Sequence, residues 1–259
     1  MSELAPADPR PTRSSDLPAR LRALTSARVG LGRTGVSQQT RDLLDFQRSH
    51  AQARDAVHSR LEAATLAAHL AEITGGPVVR LHSAAPDRAT YLQRPDLGRA
   101  LDEPSRASLA QLAPPQPGSF LLALIVADGL SALAVERHVP PLFNELLPRL
   151  RERTLVPVCV VEQGRVAIGD EIGSALGAHI SVVLIGERPG LSSPDSLGAY
   201  ITWGPRPGRS DSERNCVSNI RAEGLSYPQA AAQLVFYLTE ARRRQLTGVS
   251  LKDEGRLLE

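Results

Sequence analysis

The fold is decided by residues 179–193, which read HISVVLIGERPGLSS. The run Ile180–Ile185 is apolar, rich in β-branched residues and without polar alternation, which is typical of a strand covered on both faces. Gly186 ends this strand, and residues 187–190 form a short charged loop that contains a proline. Because ligands of open α/β sheets bind beyond the carboxyl ends of the strands, the loop predicts a ligand contact at Glu187. An ordinary loop with a solvated ion pair is the alternative.

Other strand-length runs alternate with helical patterns along the chain. The further predicted strands are Val78–Leu81, Phe120–Ala127, Val156–Val161 and Ala199–Trp203. The predicted helices run from Ser37 to about Arg60, over Leu66–Ile73, from Asp102 to Leu112, over Gly169–Leu176 and from Ser226 to Gly248. This alternation predicts an α/β fold with a mostly parallel sheet flanked by helices.

Two local features predict breaks or changes in this pattern. The pair Pro140–Pro141, followed by Pro148, predicts that the helical region after Ser131 divides into two short helices, because proline removes a backbone donor. Cys216 follows a Gly- and Pro-rich loop, and we expect it at the start of a short helix.

The chain divides into three parts by composition and pattern. Residues 1–26 are rich in proline and small polar residues, which predicts a flexible tail. Within it, Leu17–Leu24 predicts a short amphipathic helix, either a docking or targeting peptide or a frayed helix on its own domain. Residues 27–110 predict an N-terminal helical extension with some α/β character that packs on the main domain. Residues 111–259 carry most of the predicted sheet.

Composition excludes several classes of function. The 259 residues are 42% hydrophobic but only 3% aromatic, so stacking platforms for single-stranded nucleic acid are not expected. The net charge is +2 and the basic residues are scattered, which speaks against a nucleic-acid partner. The apolar runs are too short to span a membrane, and no secretory signal opens the sequence. With two cysteines and no disulfide framework, a cytoplasmic location is expected.

The segment Gly30–Gly35 matches the G-x-G-x-x-G pattern of dinucleotide-binding loops. Such a loop should follow a buried strand, and residues 24–29 are hardly a strand. The next strand-like run ends without an acidic residue to bind a ribose. A close-packed glycine-rich connection is therefore favoured, and a stand-alone nucleotide-binding oxidoreductase is kept as the alternative function.

Four candidate contact residues fall at or near the predicted strand ends, namely Asp128, Val166, Glu187 and Cys216. The sequence shows no Ser-His-Asp arrangement, no zinc-ligand spacing and no P-loop, so neither catalytic nor metal-binding residues are predicted. A few polar contacts on a broad apolar surface fit ligand binding better than proton-transfer chemistry. A purely structural chain without a ligand contact is a further alternative.

Several motifs carry a resemblance to a known family. They are Arg94–Arg99, Asp128–Ser131, Gly164–Val166, Gly186–Leu191 and Cys216–Ile220. In this order and over about residues 27–251, the chain resembles the small subunit of ethanolamine ammonia-lyase. The resemblance implies a Rossmann-like fold for residues 111–259 and a hetero-oligomer with a TIM-barrel large subunit, on which residues 27–110 would also pack.

The resemblance also implies a cofactor and a reaction. Adenosylcobalamin would lie between the subunits, and its contacts in this chain would be Val166, Glu187 and Cys216. The complex would convert ethanolamine to acetaldehyde and ammonia by a radical mechanism. Because the histidine-supplying motif Asp-x-His-x-x-Gly is absent, the cofactor is expected to keep its own dimethylbenzimidazole on cobalt. A location inside a bacterial microcompartment remains open.

Overall fold

The structure is a computed structural model that describes residues 17–25, 27–112, 118, 120–150 and 154–252. The chain divides into two compact units, residues 1–51 and residues 52–259, and each is described by itself. Most of the predicted tail over residues 1–26 lies outside the described residues. The predicted division into residues 27–110 and 111–259 stays a prediction.

The first unit contains helix α1, a small hairpin and the beginning of helix α2. These elements are α1 (Leu17–Leu24), β1 (Arg33–Thr34), β2 (Ser37–Gln38) and α2 (Thr40–His58). The strands β1 and β2 pair antiparallel around Gly35, whose φ of +64° favours glycine. Because Ser37 belongs to β2, it does not cap a helix as predicted, and α2 begins three residues later.

The second unit is built on one large sheet. Its strands are β3 (Val78–His82), β4 (Leu121–Ala127), β5 (Thr154–Leu155), β6 (Val158–Glu162), β7 (Ile180–Gly186), β8 (Leu197–Trp203) and β9 (Arg214–Ile220). The strand order is β3-β6-β4-β7-β8-β9, and the two-residue strand β5 pairs with β4. The first four strands in this order are parallel, while β8 and β9 are antiparallel. The predicted mostly parallel sheet is confirmed.

Helices cover both faces of this sheet. The remaining helices are α3 (Ala63–Thr74), α4 (Arg88–Gln93), α5 (Glu103–Ala110), α6 (Ala132–Leu146), α7 (Ile168–Ala175) and α8 (Tyr227–Arg244). Short 3-10 turns lie at Leu97–Arg99, Leu147–Arg149, Asp211–Glu213 and Gly248–Ser250. The predicted caps Asp102 and Ser226 are confirmed, since Asp102 accepts from the Ser105 amide and Ser226 forms a capping box with Gln229.

The core lies on the two faces of β4 and β7, all of whose residues are buried. Alternate residues of β4 face opposite sides, so Leu122 and Leu124 pack with α3, α6 and α8, while Ala123 and Ile125 pack with α5 and α7. This arrangement explains why the apolar run Ile180–Ile185 contains no alternating polar residues. The α/β fold with helices on both faces is confirmed.

Helix α6 corrects the prediction of two short helices. It continues through Pro140 and Pro141 to Leu146. Its fully buried hydrophobic side chains in this half are Val139, Leu142, Phe143 and Leu146. An interior proline costs a helix about 3 kcal/mol, and burial of several large side chains offsets that cost.

Strand β9 corrects the prediction for Cys216, which lies within a strand rather than at a helix start. The segment is polar, so its sequence lacks an apolar strand pattern. Pairing with the free edge of β8, with Cys216 opposite Tyr200, decides its conformation instead. Helix α8 also ends earlier than predicted, at Arg244, where Gln245 takes the left-handed conformation.

Among the helices of the described residues, none combines the length and the apolar character that crossing a bilayer requires.

Candidate functional site

The carboxyl ends of the four parallel strands meet at one edge of the sheet. His82 of β3 lies opposite Glu162 of β6, and Ala127 of β4 lies opposite Val161 of β6 and Ile185 of β7. The chain leaves β4 through α6 on one face and leaves β6 through α7 on the other. Neighbouring strands whose connections part in this way open a crevice, which is where open α/β sheets bind ligands.

A cavity of about 340 Å³ lies at this crevice. The end of β7 and the loops after β4, β6 and β7 form its walls, together with one residue of α4 and one of β8. Its lining residues are Tyr91, Gly129, Leu130, Arg165, Val166, Ile185, Gly186, Glu187, Arg188 and Tyr200. The structure therefore brings together two of the predicted contact residues, Val166 and Glu187.

Glu187 is held in one orientation by three donors from two places in the chain. Its carboxylate accepts hydrogen bonds from the Ser196 hydroxyl, from the Ser218 hydroxyl at 2.6 Å and from the Asn219 amide at 3.2 Å. A side chain on residue 198 would collide with it, because a Cβ there would lie 2.9 Å from the Glu187 Oε1 atom. The ligand contact at Glu187 and the alternative of an ordinary loop both stay predictions.

Cys216 lies beside the cavity rather than in its lining. It is exposed on β9, directly opposite Tyr200 of β8, which lines the cavity. Desolvation by the surrounding protein raises the pKa of the Cys216 thiol. The other cysteine, Cys159, is buried in β6, where burial raises the pKa of its thiol to about 12.

Glycines allow the loops around the cavity to approach closely. A Cβ on Gly186 would lie 2.1 Å from the Ser131 carbonyl oxygen, and one on Gly129 would lie 2.3 Å from the Gly186 carbonyl oxygen. Gly129 also has a φ of +58°, and the Leu130 amide donates to the Gly186 carbonyl at 2.9 Å. The loops after β4 and β7 are therefore joined backbone to backbone.

A buried ion pair lies behind these loops, and the sequence indicated only one of its members. Asp128, 1% exposed, pairs with Arg88 of α4, and the two closest charged atoms are 3.5 Å apart. Burial, opposed by Arg88, raises the pKa of the Asp128 carboxyl to about 6. Only the strand-end position of Asp128 could be recognised from the sequence, because Arg88 lies 40 residues earlier in the chain.

The Gly30–Gly35 segment lacks the arrangement of a dinucleotide-binding loop. It leads into the β1–β2 hairpin rather than into a helix, and no strand precedes it in residues 17–25 and 27–32. Gly30 and Gly32 border a hollow of about 810 Å³ in the first unit. Added Cβ atoms there would meet Pro18 at 2.8 Å and Gln39 at 2.6 Å, so these glycines pack closely on neighbours, as the favoured interpretation predicted.

No group of three or more His, Cys, Asp or Glu side chains in the described part of the chain is placed to hold a metal ion.

Comparison with known proteins points to one family. A family model described as Ethanolamine ammonia-lyase light chain (EutC) matches residues 15–252. The chain is 57% identical over 243 residues to the ethanolamine ammonia-lyase small subunit of Pseudomonas syringae pv. tomato. The aligned residues cover 92% of this chain and 83% of the relative. It is 56% identical over 253 residues to the ethanolamine ammonia-lyase small subunit of a Pseudomonas fluorescens strain. That alignment covers 95% of this chain and 90% of the relative.

Proposed function

The chain belongs to the family of ethanolamine ammonia-lyase light chains, and from this we propose that it covers adenosylcobalamin at the interface with a TIM-barrel large subunit. The complex would convert ethanolamine to acetaldehyde and ammonia, and the substrate-contacting residues would belong to the large subunit. The observation that carries the proposal is the crevice cavity, which holds Val166 and Glu187 together and has Cys216 beside it.

The residues of the cavity fit the edge of a corrinoid. A corrinoid is a flat macrocycle that carries amide groups, and amides both donate and accept hydrogen bonds. The Glu187 carboxylate already accepts three hydrogen bonds, and a carboxylate has about four acceptor positions, so it can accept one more. Arg165 and Arg188 bring donors for amide oxygens, and Val166 and Ile185 bring apolar surface.

In this proposal the chain binds, orients and shields rather than reacts. When bound, adenosylcobalamin supplies the radical chemistry of the reaction. Glu187, preoriented by its donors, would fix one amide of the ring edge, and Val166 would pack on the ring. Cys216 would contact the ring from its exposed position on β9. The aliphatic side chains of Leu130, Val166 and Ile185 would also keep water away from the ring.

We further propose that the cofactor keeps its dimethylbenzimidazole as the lower ligand. The 259 residues contain no Asp-x-His-x-x-Gly motif, and the cavity lining contains no histidine. Electron paramagnetic resonance of the Co(II) state, with nitrogen-15 in the protein histidines, tests this point. Coupling of cobalt to a labelled histidine would contradict it.

The predicted extension over residues 27–110 would contact the large subunit, and the enzyme would work in the cytoplasm or inside a bacterial microcompartment. Both points rest on the family rather than on the geometry. Fractionation of cells grown on ethanolamine, with antibody against the full chain, separates the two locations.

The proposal is tested with the complex of this chain and its large subunit. We expect Glu187→Gln to weaken adenosylcobalamin binding about tenfold, because one anionic acceptor oxygen is replaced by a donor. The matched control is Glu171→Gln, whose carboxylate accepts from the Leu101 amide and from Arg106 but does not line the cavity. A wild-type complex that binds no adenosylcobalamin, or equal affinities for all three proteins, would contradict the proposal.

A further inference from the structure

The buried pair Asp128–Arg88 lies next to the cavity but lines none of it. We propose that both are positioning residues, which fix the Gln163–Val166 turn and thereby place one wall of the cavity against its ligand. The inference rests on the proposed function, since it assigns these residues a role at the same site. It goes beyond the contacts Val166, Glu187 and Cys216 that the family resemblance implies.

Arg88 distributes its donors over the loops rather than concentrating them on Asp128. Its Nη1 atom donates to the Gly129 carbonyl at 2.8 Å and to the Gln163 side-chain oxygen at 3.3 Å, while its Nε atom donates to the Val57 carbonyl at 2.7 Å. The side chain is only 8% exposed. Arg88 therefore ties the loop after β4 to the loop after β6.

The turn after β6 is held from both sides at Gly164. The Gly164 amide donates to the Asp128 Oδ1 atom at 3.0 Å, and the Tyr91 hydroxyl donates to the Gly164 carbonyl at 3.2 Å. The preceding residue, Gln163, has a φ of +54°, a left-handed conformation that is strained for a non-glycine residue. Such a conformation persists when surrounding contacts fix it, and Asp128, Arg88 and Tyr91 provide them.

The two residues that follow Gly164 both line the cavity. Arg165 follows Gly164 directly, and its guanidinium lies 4.5 Å from the centre of the Tyr91 ring. The Arg165 amide also donates to the Gly98 carbonyl at 2.8 Å. Val166 comes next and lines the cavity. A shift of the turn would therefore move both of its wall residues.

The arrangement differs from a buried ion pair whose two side chains bind each other directly, and the described residues include such a pair for comparison. Arg214 binds Asp170 through two parallel hydrogen bonds of 2.8 and 2.7 Å, and neither residue lines the cavity. By contrast, the closest charged atoms of Arg88 and Asp128 are 3.5 Å apart. The donors of Arg88 serve the loops instead.

The test uses the complex with the large subunit and compares Asp128→Asn and Arg88→Lys with Asp170→Asn. Asp170 is the matched control, because it is also a buried aspartate paired with an arginine. We expect the first two variants to raise the apparent KM for adenosylcobalamin on the order of tenfold, with kcat at saturating cofactor unchanged. We expect Asp170→Asn to lower the unfolding midpoint without changing that KM.

A second readout does not depend on the cofactor. Hydrogen exchange of the cofactor-free complex should be faster in Asp128→Asn over peptides that contain residues 163–167, and unchanged there in Asp170→Asn. Unchanged cofactor KM in Asp128→Asn and Arg88→Lys overturns the inference, whether or not exchange rises. An equal rise of KM in all three variants also overturns it. If the proposed function itself fails, the wild-type complex binds no adenosylcobalamin. That result distinguishes it from a failure of this inference alone.

Discussion

Glu187 shows how a residue at a strand end is held in one orientation. Its carboxylate meets two serine hydroxyls and a backbone amide, from the end of its own loop and from β9. The sequence predicted its place, because a charged residue follows a buried strand and a glycine. The donors were not predictable, since Ser218 and Asn219 are about 30 residues away and belong to a strand that the sequence did not indicate.

At the scale of single residues, Gly186 gives the first prediction. Gly186→Ala should lower the free energy of unfolding by about 1–3 kcal/mol or more, because its Cβ would collide with the Ser131 carbonyl, a backbone atom that cannot rotate away. Urea unfolding of the full chain measures the change. Gly190→Ala is the control, since its nearest contact would be the Ser193 hydroxyl at 3.3 Å. Equal stability of Gly186→Ala and wild type would show that the loops are not packed backbone to backbone.

Asp128 gives a prediction of pH dependence. The pKa of its carboxyl is raised to about 6 in the folded chain from an ordinary value of 3.8. Between these values the folded chain binds a proton that the unfolded chain releases, so this group makes the free energy of unfolding fall as pH rises from about 4 to 6. Well above pH 6 the carboxyl is ionised in both states, so its contribution to the free energy of unfolding no longer changes with pH.

Unfolding of wild type and Asp128→Asn at several pH values checks this sign. We expect the stability of the variant relative to wild type to increase as pH rises from 4 to 6, because asparagine does not titrate. A relative stability that is constant or falls over this range would mean that the carboxyl is not held at a raised pKa.

At the scale of elements, continuous apolar runs were the reliable signal. Strands β4 and β7 match the predicted strands to within one residue at each end, because both are buried on both faces. Strand β9 could not be recognised, because its residues are polar and its conformation depends on pairing with β8. Helix α6 was predicted as two pieces, because the local effect of two prolines was visible and the tertiary packing was not.

The ion pair between Asp170 of α7 and Arg214 of β9 yields a prediction at this scale. Arg214→Met should lower the free energy of unfolding by about 3–5 kcal/mol, because it leaves the Asp170 carboxylate buried and unpaired. Combining it with Asp170→Leu should recover most of the loss, since no lone charge then remains. Thermal and urea unfolding compare the single and double variants. A double variant as unstable as Arg214→Met would contradict this account of the pair.

At the scale of the whole second unit, topology places the site. Helices α6 and α7 leave neighbouring strands towards opposite faces, so the loops after β4 and β6 separate and leave the crevice. The sequence indicated this edge, because glycine and charged residues follow each buried run. It did not indicate the strand order, which depends on long-range pairing, nor the contribution of Tyr91 and Arg88 from α4.

The central claim is that the carboxyl edge of this sheet is the cobalamin-contacting surface, and labelling of Cys216 tests it most directly. Cys216 is exposed and Cys159 is buried, so a thiol reagent at mildly alkaline pH should modify Cys216 first. The measurement is the rate of modification of the Cys216 peptide, by mass spectrometry, in the complex with the large subunit. We predict that adding adenosylcobalamin slows this rate well below that of the cofactor-free complex. An equal rate with and without adenosylcobalamin, in a complex shown to have bound it, would contradict the claim.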